Sequence, residues 1–159
     1  MAATFSFSES NLVGEVVADG IANLNFGSVD DDEVVLASYP IVAGENSFEK
    51  YLRGKFSDSF TEISNMKFWK SAGAYKTGEV IKAAANVAFA TPTSSTSGVA
   101  TVDFPITEGA ALDIQSAAGT VTIVAAGYTK YICLQLQSTV STPAGAVNTK
   151  TFTFQYDEV

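Results

Sequence analysis

Tyr131-Ile132-Cys133-Leu134-Gln135-Leu136-Gln137 decides the fold. Ile132, Leu134 and Leu136 alternate with Cys133, Gln135 and Gln137. Successive side chains of a strand point to opposite faces, so this run has one apolar and one more polar face. The same period of two recurs near both ends of the chain. Phe5 and Phe7 alternate with Ser6 and Ser8, and Phe152, Phe154 and Tyr156 alternate with Thr153 and Gln155. An antiparallel sheet with a single buried side reads this way.

Working outward, further strands are predicted over residues 11–18, 21–26, 63–69, 86–90, 100–106, 112–115 and 121–124. Turn chemistry separates them at Asp19-Gly20, Gly27-Ser28, Ala72-Gly73, Glu108-Gly109 and Ala118-Gly119. Residues 46–56 fit two readings. Phe48, Leu52 and Phe56 lie four apart, which suits a helix face capped by Asn46 and Glu49. Phe48, Lys50, Leu52, Gly54 and Phe56 equally line one side of a strand. Gly54 costs a helix about 1 kcal/mol relative to Ala, and the strand is preferred. Residues 79–85 are the best candidate for a short helical turn.

Many short strands with regular turns favour a closed pair of sheets, because one sheet alone would leave its apolar face wet. The expected fold is all-β: an antiparallel two-sheet β-sandwich, Ig-like or jelly-roll-like, with little helix. It forms a single domain over residues 1–159, with 1–8 as a first strand or an N-terminal arm. Residues 91–98 read as a small polar loop. Residues 138–149, with Pro143 and Gly145, join the last two strong strands. If those strands pair as a hairpin, the loop projects from one end of the sandwich, where Ig-like domains make contacts.

Composition narrows the function. A chain of 159 residues, 47% hydrophobic and 16% charged, can bury a core and is too apolar to be disordered. A net charge of −8 argues against a phosphate backbone as partner, since Lys50, Arg53 and Lys55 are interleaved with Glu49 and Asp58. No run is apolar and long enough to span a bilayer by helix. The N-terminus has neither a basic region nor a continuous apolar run, so no signal peptide is expected.

The chain contains no histidine, which removes Ser-His-Asp and Cys-His catalysis and the usual histidine metal sites. Cys133 stands alone and, within a strand, reads as a small buried hydrophobe. The carboxylates fall mainly in turns and termini, where nothing raises a pKa for acid–base work. Asp30-Asp31-Asp32-Glu33 could offer oxygens to calcium, but lacks the alternating spacing and central glycine of an EF-hand loop. It reads as a solvated connection. Neither an enzyme nor a cofactor or metal site is expected. The candidate contact residues are Phe5, Phe7, Trp69, Tyr75 and Pro143. Trp69 and Tyr75 read either as core or as a sugar-stacking platform. Phe5 and Phe7 read either as first-strand residues or as an arm that adds to a partner's sheet.

Several segments carry a resemblance. They are Pro40-Ile-Val-Ala-Gly-Glu-Asn-Ser-Phe-Glu-Lys-Tyr-Leu-Arg53, Phe60-Thr-Glu-Ile-Ser-Asn-Met-Lys-Phe-Trp69, Tyr131 to Gln137, and Thr151-Phe-Thr-Phe-Gln-Tyr-Asp-Glu158 after a Pro/Gly loop. In pattern they are similar to virion structural proteins of tailed bacteriophages. The resemblance implies an Ig-like or related β-sandwich without catalytic residues. It implies a capsid decoration (cement) protein that binds and stabilises the major capsid shell. The other implied role is a neck, tail or fibre module recognising a host glycan or protein. The partners it implies are the major capsid protein or other virion proteins and copies of the chain itself, with a trimer foremost. Nucleic acid and membrane are not among them. The expected location is the virion, on the capsid surface, after synthesis in the host cytoplasm.

Overall fold

The computed structural model describes residues 2–145 and 148–159. Met1, in the expected arm, and Ala146 and Val147, in the 138–149 loop, lie outside the described residues. The strands are β1 (Thr4–Asn11), β2 (Val16–Asp19), β3 (Lys50–Ser57), β4 (Ile63–Ala72), β5 (Glu79–Val87), β6 (Val102–Asp103), β7 (Leu112–Asp113), β8 (Gly127–Tyr128), β9 (Tyr131–Ser138) and β10 (Thr151–Glu158). Among the described residues the only helical element is a 3₁₀ turn at Glu108–Ala110. None is a helix long and apolar enough to cross a membrane.

One sheet runs β2-β1-β3-β9-β5-β6, with β8 also on β3; the other runs β10-β4-β7. Every pairing is antiparallel. The two sheets pack face to face as the expected β-sandwich. Leu52, Phe56, Ile81, Ile132, Leu134 and Leu136 of the larger sheet meet Met66 and Phe68 of the smaller one in one core cluster. Fully burying such a side chain stabilises by about 1.5–3 kcal/mol. Aromatic rings bridge the layers: Phe5 stacks on Phe154 at 4.8 Å, and Phe68 lies 5.7 Å from Phe7.

The decisive run is a strand, but both of its faces are buried. Tyr131, Cys133 and Gln135 face away from the second sheet and are covered by the chain around residues 89–100. The polar member is satisfied there. Gln135 Nε2 donates to the carbonyls of Ser47 and Ser95 at 3.1 and 2.7 Å, and its Oε1 accepts from Ser97 N–H at 2.9 Å. A buried amide without such partners would cost several kcal/mol on the order of lost hydrogen bonds.

Other expectations are corrected. Residues 79–85 form most of β5, not a helical turn: Glu79, Ile81 and Ala83 face the core while the backbone pairs with β9. Tertiary pairing overrides the helix propensity of the alanines. Residues 11–18 are a hairpin, because Leu12, Gly14 and Glu15 take positive φ (64°, 87° and 60°) and reverse the chain. Residues 21–26 form no strand, although Ile21, Leu24 and Phe26 pack on the core. β5 ends at Val87, so most of 86–90 is irregular, and only two residues each of 100–106 and 112–115 pair. Residues 121–124 supply a single bridge, Ile123 to Ile63. Residues 46–56 resolve as strand from Lys50 onward. The last two strands do not form a hairpin: β9 sits between β3 and β5, whereas β10 pairs with β4. Phe152 and Phe154 of β10 pack on Phe68 across that second sheet, which draws the strand there.

Candidate functional site

The structure does not gather the five sequence-derived contact residues into one surface. Phe5 and Phe7 are half-buried and lie 5.0 Å apart between the sheets, so their rings serve the chain's own core. Residues 4–8 are paired along β3, and Ser8 also faces Asp19 of β2, so they are not a free arm. Trp69 is buried at 9% exposure, and its neighbour Phe68 at 1%. Alternation places one of this pair outside the core, yet neither ring is open. Tyr75 is half-buried, with the ammonium groups of Lys70 and Lys150 4.9 and 5.4 Å from its ring centre. Burial pushes its phenol pKa up. Its ring already holds cations from its own chain. Pro143 is exposed. It borders an apolar cleft of 720 Å³ with Phe26, Leu36, Pro40 and Leu136.

The acidic run is anchored through Asp30 and its backbone, while the Asp31 and Glu33 side chains stay exposed to solvent. Asp30 Oδ2 accepts from Leu12 N–H at 2.7 Å, and Asp31 Oδ1 accepts from Glu33 N–H at 3.0 Å. The Asp31 carbonyl accepts from Lys50 Nζ at 2.5 Å. Lys50 also pairs with Glu9 at 2.7 Å, and neither side chain has any exposure. A tethered ammonium thus supplies positive charge beside the run. The expectation that nothing raises a carboxylate pKa is corrected here: Glu9 is buried within β1, where burial pushes it up to about 7 against the pull of Lys50, and burial also raises Asp30. Among the described residues no group of three or more His, Cys, Asp or Glu is placed to hold a metal ion. Cys133 is fully buried, and desolvation pushes its thiol up to about 12, so it stays protonated and unreactive.

The outer face of the larger sheet is electrostatically closed. The Arg53 guanidinium lies 4.0 and 4.7 Å from the ring centres of Tyr128 and Tyr131. Lys55 pairs with Asp19 at 2.6 Å. That bond, with one from Ser8, holds the Asp19 carboxyl below its usual range.

What sequence reasoning missed is an aliphatic surface. Leu12, Val13, Val16 and Val17 of the β1–β2 hairpin are exposed, Val13 at 83% and Val16 at 56%. Val35, Leu36, Tyr39 and Val42 are exposed on the segment that follows the acidic run. The Asp30–Leu12 bond joins this segment to the hairpin turn. Its fold has a local cause. Ser28 N–H donates to the Tyr39 carbonyl at 3.1 Å, closing residues 28–39 as a loop. Gly27 permits the closure, since a Cβ there would lie 2.4 Å from Val34 Cγ1. The signal in the sequence was the adjacent aliphatic pairs, Val16-Val17 and Val34-Val35. On an extended chain, one member of such a pair must leave the buried face.

No family model matches the chain, and no match is found among curated proteins or solved structures. The fold is a two-sheet β-sandwich that exposes aliphatic side chains on the β1–β2 hairpin and on residues 35–42.

Proposed function

We propose that this chain is a non-enzymatic structural protein of a tailed-phage virion, specifically a capsid decoration protein that binds and stabilises the major capsid shell. The observation that carries this reading is the exposed aliphatic surface of the hairpin and residues 35–42 on a tightly packed sandwich. Exposed aliphatic side chains concentrated on one hairpin and on the segment tied to it favour protein contact. The sequence resemblance to virion proteins supports the same reading. A rigid body that presents a preformed surface loses little conformational entropy on assembly. Symmetric self-assembly, with a trimer foremost, would repeat the contact around a lattice axis.

The alternative, a tail or fibre module that stacks host sugars on aromatic rings, draws less support. Trp69 is buried and Tyr75 is engaged by two lysines.

The test is a paired substitution, Val13→Lys with Val16→Lys, in co-sedimentation with empty heads. The expected result is loss of head binding with an unchanged thermal midpoint, because both positions are solvent-facing. Undiminished binding would overturn the assignment of this surface.

A further inference from the structure

β2 ends its sheet, and among the described residues it pairs with β1 alone. The direction of its backbone groups follows from the register. Gly20 N–H donates to the Phe7 carbonyl at 2.8 Å, so Phe7 turns its backbone polar groups toward β2. Those groups alternate in direction along a strand, and Glu9 and Asn11 therefore face β2 as well. Their partners are Ala18 and Val16. A second observation agrees. Gly54, opposite Phe7 on β3, sends its N–H and C=O away from β1, to Thr129 at 2.9 and 2.8 Å. Val17 and Asp19, opposite Ser10 and Ser8, thus aim their N–H and C=O groups out of the sheet.

Natural edge strands are guarded by short length, by charge, lysine above all, by proline or by a bulge, and β2 has only its length of 4 residues and Asp19. Residues 12–19, Leu-Val-Gly-Glu-Val-Val-Ala-Asp, contain neither lysine nor proline. Val16 and Val17 are both exposed and lie on opposite faces, so an added strand would meet apolar surface on either side.

Charge selects the occupant. Glu15 and Asp19 flank β2, and Asp30-Asp31-Asp32-Glu33 lies at the hairpin turn through the Asp30–Leu12 bond. The neighbouring cations are paired, Lys50 with Glu9, Lys55 with Asp19 and Arg53 with Glu15 at 3.9 Å, so the excess negative charge at the hairpin is that of Asp30-Asp31-Asp32-Glu33. Carboxylates outnumber cations around the hairpin. A second copy would set one acidic hairpin against another, and like charges facing across a strand pair are destabilising. We propose that the outer edge of β2 accepts an extended, aliphatic and basic segment of a partner protein as an added strand. This rests on the proposed function only in taking the hairpin as a protein contact.

The probe is a short peptide of alternating lysine and valine, titrated into isotope-labelled protein and followed by backbone amide shifts. Saturable shifts centred on Val16–Asp19 are expected, weakening as salt rises. The matching glutamate–valine peptide should bind at least about tenfold more weakly, as electrostatic complementarity requires. Val17→Pro removes one outward N–H without touching a β1 bond, and should weaken the peptide about tenfold. Val17→Lys, a surface change, should weaken it by a comparable factor through like-charge repulsion, and serves if the proline variant does not fold. Equal binding of both peptides, binding insensitive to the Val17 variants, or self-association of the protein through β2 overturns the proposal. Head binding that persists alongside such a failure leaves the proposed function standing.

Discussion

Replacing Lys50 by Met removes the ammonium that faces Glu9 inside the sandwich. The two side chains have no exposure and meet at 2.7 Å. Breaking one partner of a buried ion pair costs about 3–5 kcal/mol while the remaining group stays charged. Glu9 can escape that cost by taking a proton, because burial pushes it from 4.5 up to about 7 even beside Lys50. The other groups bearing on it are Asn11 of its own strand and Asp32 of the acidic loop, with Asp30 also near Lys50. Without Lys50 the neighbouring charges are carboxylates, and Glu9 should rise further. A carboxyl whose folded pKa lies above its unfolded value stabilises most below the unfolded value, and that contribution is lost as pH rises through the folded one. In the parent protein the loss falls between 4.5 and about 7. At 1.36 kcal/mol per pH unit it reaches about 3 kcal/mol at most. In Lys50→Met the loss continues to higher pH. Urea unfolding followed by Trp69 fluorescence should therefore show a deficit that is larger near pH 8 than near pH 5 by up to about 1.4 kcal/mol, the one pH unit above the parent's value of about 7. Adding Glu9→Gln to Lys50→Met should recover most of the deficit near pH 8. An equal deficit at both pH values, with no recovery in the double variant, would refute the reasoning.

Three further outcomes follow from the packing. In Gly54→Ala the new Cβ lies 2.8 Å from Phe5 Cε2 and 3.3 Å from Thr129 Cγ2. Overpacking of this kind should cost about 1–3 kcal/mol in denaturant unfolding, whereas Gly98→Ala, with open space around it, should be nearly neutral. Phe68→Ala removes a ring at 1% exposure that meets Phe7, Phe104, Phe152 and Phe154, and should lower stability by about 3–5 kcal/mol by calorimetry. The Cys133 thiol should resist a soluble disulfide reagent near pH 8 in the native protein and react promptly once urea unfolds it; rapid native labelling would contradict its burial.

The sandwich was legible where one apolar face alternates with a polar one. Tyr131–Ser138 and Thr151–Glu158 are strands as their alternation requires. Sheet membership was not legible, because pairing of β9 with β3 and β5 depends on residues about fifty to eighty positions away, beyond any local window. β5 was misread because Lys82-Ala83-Ala84-Ala85 carries helix propensity, while its strand state comes from neighbours. The second buried face of β9 was hidden because Gln135 looks solvent-facing until its carbonyl partners at Ser47 and Ser95 are known. The candidate surface was hidden for a related reason. Large aromatics drew attention, yet Phe5, Phe7 and Trp69 are consumed by packing, while the exposed positions are mostly aliphatic, valines above all. The acidic run was seen in sequence, but not its buried counter-charge, because Lys50 lies on a strand that the sequence alone assigns no partner.

The proposed role as a decoration protein is tested most directly by titrating purified protein onto empty tailed-phage heads and counting bound copies by gel densitometry. Decoration predicts saturable binding at a copy number set by the capsid lattice, together with raised resistance of the heads to heat. Absence of binding to tailless heads, or a handful of copies per particle, would contradict it.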